Sequence, residues 1–66
     1  MSHITSYIVN SQDYFAAYTD NNEIRFGLSG ELCFQISKNH PIAEKIINCK
    51  TSEDVENIFD GFYESR

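Results

Sequence analysis

The chain has 66 residues, with ten acidic side chains against five basic ones and a net charge of −5. Hydrophobic and charged fractions of 41% and 23% are those of a folded domain and exclude wholesale disorder. The acidic balance opposes direct binding to nucleic acid or to an anionic membrane, because both carry the same sign.

Ile4 to Val9 is a β-branched and aromatic run that ends at the turn-forming cluster Asn10-Ser11-Gln12-Asp13. Tyr14 to Thr19 is a second strand, closed by Asp20-Asn21-Asn22, where asparagine tolerates positive φ. Ile24 to Leu28 and Leu32 to Ser37 alternate apolar and polar residues, with Ser29-Gly30 marking the hairpin between them. Four short strands on short turns predict an antiparallel meander in the order 1-2-3-4.

Hairpin parity assigns the faces. Ile24, Phe26 and Leu28 share a face with Leu32, Phe34 and Ile36 if the loop at Ser29-Gly30 holds three residues, with Gly30 left-handed. A two-residue loop at Asn21-Asn22 then adds Phe15 and Ala17 to that face. It sends Tyr14, Ala16 and Tyr18 to the other one, beside Arg25, Cys33 and Gln35.

After Lys38 the period changes. Asn39 or His40 can cap a helix and Pro41 suits its first position, with Ile42, Ala43, Ile46, Ile47 and Cys49 on one side. The stretch Thr51 to Arg66 holds a second amphipathic helix, expected over residues 53–64, capped by Ser52 or Thr51 and carrying Glu53 and Asp54 where the dipole favours carboxylates. Val55, Ile58, Phe59 and Phe62 form its apolar seam. Glu53, Glu56, Asp60 and Glu64 fall within an arc of roughly 80° on the other side. Only Gly61 opposes the helix, by about 1 kcal/mol relative to Ala. The expected architecture is a single α+β domain over residues 1–66: a four-stranded antiparallel meander with two C-terminal helices on one face, ββββαα.

No apolar stretch is long enough to cross a membrane. MSHITSYIVN lacks the basic and long apolar regions of a secretory signal, so a cytoplasmic location is expected. Cys33 and Cys49 are sixteen positions apart, match no metal or redox spacing and are expected to stay reduced. His3 and His40 do not form a ligand set, and no nucleophile–base pair or phosphate loop is visible. Neither a cofactor nor enzymatic activity is expected.

Two features point to binding. The first is the carboxylate row, whose members rise about 4.5 to 6 Å apart along the axis, comparable to phosphates along one nucleic-acid strand. Such a row can occupy a cationic groove built for nucleic acid; it also reads as an ordinary solvated face opposite a core seam. The second is aromatic: Tyr14 and Tyr18 on an uncovered sheet face would suit a protein partner or a homodimer. The same tyrosines also read as half-buried side chains on a wet face.

In size, charge and layout the chain resembles the small phage-encoded inhibitors such as anti-CRISPR proteins. The likeness lies in the strand-to-helix passage LCFQISKNHPIAEKII followed by the acidic SEDVENIFD. It implies a module that blocks nucleic-acid-handling machinery by presenting an acidic surface. The expected partner is therefore a basic nucleic-acid-binding protein, met by Glu53, Glu56, Asp60 and Glu64 with Tyr14 and Tyr18 as a second contact. A homodimeric structural or regulatory subunit joined through the tyrosine face is the alternative.

Overall fold

In a computed structural model, which describes residues 3–65, three hairpins build a sheet in the order β1-β2-β3-β4. The strands are β1 (Ile4–Asn10), β2 (Tyr14–Thr19), β3 (Glu23–Leu28) and β4 (Cys33–Ser37). Two helices follow, α1 (Ala43–Ile47) and α2 (Ser52–Glu64). This is the ββββαα arrangement that the sequence predicts.

The β3–β4 hairpin has the expected register, with Ile24 opposite Ile36 and Phe26 opposite Phe34. Leu28 N–H donates to the Leu32 carbonyl (3.0 Å), closing a three-residue loop in which Gly30 takes φ +79°. Gly27 is needed for a second reason. Its φ is +146°, and a Cβ there would lie 2.6 Å from Cys33 Cα and 2.7 Å from the Leu32 carbonyl oxygen. Only a residue without a side chain admits so close a backbone approach.

The β2–β3 hairpin departs from expectation. Tyr14 pairs with Leu28, Ala16 with Phe26 and Tyr18 with Ile24, so these three β2 residues share the helix-covered face. Phe15 and Ala17 lie on the other face, opposite Gly27 and Arg25. The loop is Asp20-Asn21-Asn22, three residues rather than two, and the extra residue inverts every side chain of β2. Thr19 organises that loop. Its buried hydroxyl accepts from the N–H groups of Asn21 and Glu23 (both 3.3 Å) while Asn22 takes φ +59°.

β1 pairs with β2 through two register shifts, between Ile4 and Ser6 and between Tyr7 and Val9. Such bulges on an edge strand twist it away from edge-to-edge pairing.

α1 is shorter than the apolar spacing predicts. It starts at Ala43, after Pro41 rather than on it, and Ile42 is an N-cap without a side-chain bond. His40 still serves the entry, because its Nδ1 accepts from Ile42 N–H (3.2 Å). Ile46 and Ala43 are buried, whereas Ile47, expected on the same side, is 40% exposed.

α2 starts at a full capping box. Thr51 Oγ1 accepts from Asp54 N–H (3.3 Å), and Asp54 Oδ2 accepts from the N–H groups of Thr51 (3.3 Å) and Lys50 (3.1 Å). The helix lays Val55 and Phe59, both buried, onto a core of Val9, Ala16, Ile24, Phe26, Ile36, Ala43, Ile46 and Cys49. Phe59 meets the rings of Phe26 (6.4 Å) and Phe34 (5.2 Å). Ile58 and Phe62 are only half-buried, although Phe62 packs on Phe34 at 4.8 Å. A single 13-residue helix over four strands leaves its flanks open.

Candidate functional site

The packed seam fixes which way the charged side of α2 points. Glu53, Glu56, Asp60 and Glu64 are all exposed. Their spacing puts three like-charged neighbours at i,i+3 or i,i+4, each costing roughly 0.2–0.5 kcal/mol of helix stability. No basic side chain occurs between Ser52 and Glu64, so nothing within the helix offsets this repulsion. Glu64 also stands in the last turn, where the macrodipole opposes a carboxylate.

Asp54, the other acid of the helix, has a different job. Backbone N–H donors of Lys50 and Thr51 hold its carboxyl below the ordinary range; they outweigh the opposing effect of burial, and the Thr51 hydroxyl and the Lys50 charge add lesser help. It is structural, while the four-membered row is not tied down in this way.

Tyr14 belongs with the row, although sequence parity sends it to the opposite face. It lies half-buried at the start of β2, its ring edge-on to Phe59 at 5.6 Å. Its phenol is held above the ordinary value, first by burial and then by the charges of Asp60, Glu56 and Asp13. Tyr14, Asp60 and Glu56 therefore form one neighbourhood rather than two alternative surfaces. Tyr18 stays apart from it. It is half-buried on the helix-side face, with Lys38 Nζ 5.0 Å from its ring centroid. An open sheet face carrying Tyr14 and Tyr18 does not exist, and the homodimer reading built on it loses its surface.

Between the end of α2 and the β3–β4 hairpin runs an open cleft of about 330 Å³, lined by Leu28, Leu32, Phe59, Asp60, Tyr63 and Glu64. Leu32 is 48% and Tyr63 54% exposed, so the cleft presents apolar surface to water. The sequence pattern does not single out Leu32, because it alternates like a core residue. Its exposure follows from its place at the hairpin end, beyond the reach of most of α2. Tyr63 was legible in part: it follows Phe59 by four residues and Asp60 by three, which places it between the seam and the row.

The uncovered sheet face is chemically quieter. Arg25 Nε and Nη2 donate to Gln35 Oε1 (3.2 and 2.9 Å), and Gln35 Nε2 donates to Glu23 Oε1 (2.7 Å). Tyr7, half exposed, meets Phe15 edge-on at 6.4 Å. Cys33 lies on this side, opposite Gly27, while Cys49 is buried just past α1; both are free thiols. Burial, and secondarily the Asp54 charge, pushes the Cys49 thiol up, which makes it a poor nucleophile.

Among the described residues, no three His, Cys, Asp or Glu side chains converge to hold a metal ion, and no helix is long and apolar enough to cross a membrane. No protein-family model, no curated protein and no solved structure matches this chain.

Proposed function

We propose that this protein is a small binding module that inhibits a nucleic-acid-binding protein by docking the acidic side of α2 into its basic surface, in the manner of anti-CRISPR-like phage inhibitors. One observation carries the reading: Glu53, Glu56, Asp60 and Glu64 form an uninterrupted row at a cost to the helix that bears it. A face kept only for solubility gains from interleaved lysines, which add i,i+4 support. Here that support is absent along the whole of α2, and Tyr14, Asp13 and the exposed Leu32–Tyr63 margin extend the surface beside it.

Opposite charge would act first on encounter, steering the two surfaces together, and then on the choice of partner. Row members 4.5 to 6 Å apart, from the rise of an α-helix, can follow cations arranged for a phosphate backbone. Competition tests this directly. The immobilised chain should retain its partner in low salt and lose it when single-stranded nucleic acid is added, while Glu56→Gln with Asp60→Asn should retain little. A partner held equally by the double variant and undisturbed by nucleic acid would overturn the proposal.

A further inference from the structure

Two open clefts among the described residues differ in the chemistry of their rims. The larger, about 500 Å³ between α1 and α2, is rimmed by Lys45 and His40 and holds no carboxylate. The smaller has apolar walls in Leu28, Leu32, Phe59 and Tyr63 and two carboxylates, Asp60 and Glu64, on one side. We propose that the smaller cleft is the receptor for one arginine side chain of the partner's basic surface, an inference that rests on the acidic-face reading above.

The cleft asks for a ligand that is apolar along its length and cationic at its tip. A long basic side chain has that form: its methylene stem lies along apolar surface while the head reaches polar partners. Asp60 and Glu64 stand one turn apart on the same side of α2, and both line the cleft. A guanidinium is planar, offers five donors and matches carboxylates in a fork, which lets one head serve both acids. It also stacks on aromatic faces, and the half-exposed Tyr63 ring stands in the wall. Lysine fills the stem's place but offers neither the fork nor the planar face. Glu53 and Glu56 lie outside the cleft and supply long-range attraction only.

The full chain, labelled with ¹⁵N, is titrated with three capped peptides, acetyl-Gly-Xaa-Gly-amide, in which Xaa is arginine, lysine or citrulline, and with hexalysine. With the arginine peptide, amide shifts should concentrate on Leu28, Leu32, Asp60, Tyr63 and Glu64. Affinity should exceed that for the lysine peptide at least threefold, and citrulline should shift nothing. Leu32→Ser should weaken the arginine peptide at least threefold, while hexalysine, which the whole acidic row attracts, should lose less than twofold. Equal binding of arginine and lysine, with shifts spread from Glu53 to Glu64 and indifference to Leu32→Ser, would overturn the cleft and leave the acidic-face reading standing. Absence of any shift on α2 with hexalysine and with the arginine peptide would overturn both.

Discussion

The outer side of α2 and the uncovered face of the sheet are both polar, yet they treat their charges in opposite ways. On the sheet, Arg25 and Glu23, of opposite sign, are joined through the amide of Gln35, which accepts from the first and donates to the second. On α2, Glu53, Glu56, Asp60 and Glu64 repel one another along the helix that carries them. Unanswered charge of one sign creates a field that extends from the surface into solvent. On this difference rests the proposal that α2, not the sheet, is the recognition surface.

The contrast depends first on the seam that holds the row in place. Phe59→Ala removes the ring that Tyr14, Phe26 and Phe34 share and should cost about 3 to 5 kcal/mol, enough to unfold so small a domain. A urea titration showing a loss below about 1 kcal/mol, under the usual range for such a change, would detach the row from any rigid support.

On the sheet side the sensitive position is Gly27. Gly27→Ala combines a disfavoured φ with a clash against Cys33 and Leu32 and should cost roughly 2 to 4 kcal/mol. Gly61→Ala is the opposite control, since nothing lies within 4 Å of a Cβ there. It should stabilise α2 by about 0.5 to 1 kcal/mol. Equal effects at the two glycines in thermal melts would break the assigned backbone.

A smaller effect separates structural from functional carboxylates. Thr51→Ala should cost about 1 kcal/mol by opening the capping box. Asp54 has a folded-state pKa below its unfolded one, so its contribution is complete above the unfolded value and is lost as pH falls through the folded one. Stability curves of wild type and Asp54→Asn should therefore converge in acid, and parallel curves would contradict the cap.

The subtlest change concerns Tyr14. Replacing Glu56 and Asp60 with glutamine and asparagine should lower its phenol toward the ordinary value, because two of the charges that raise it are gone. Tyrosine ring resonances followed through alkaline pH report the shift, and an unmoved Tyr14 would separate it from the row.

Much of this fold is legible in the residues themselves. The period change after Lys38, the seam of Val55, Phe59 and Phe62 and the turn at Gly30 each state a local rule that the packing obeys. The face of β2 was not legible because it hangs on one residue of loop length, and Asn21-Asn22 is as plausible a two-residue turn as part of a three-residue one. The three-residue loop is held by the Thr19 hydroxyl, bonded to Asn21 within it and to Glu23 just beyond it, contacts no hydrophobic pattern encodes. The same slip hid the meeting of Tyr14 with Asp60 and Glu56. The row itself was plain from helical spacing, whereas the cleft beside it needs the hairpin end and the helix end placed together in space.

The central claim is that the acidic side of α2 carries recognition, and its most direct test is the affinity of paired variants for the captured partner at two salt concentrations. Glu56→Gln with Asp60→Asn leaves the exposed positions filled and the core untouched, so the fold should persist. Affinity should fall at least tenfold, about 1.4 kcal/mol, and the wild-type complex should weaken steeply with salt. Tyr7→Ala, on the uncovered sheet face, should bind like wild type. An acidic-row variant that binds like wild type at both salt concentrations, with Tyr7→Ala losing the partner, would contradict the account.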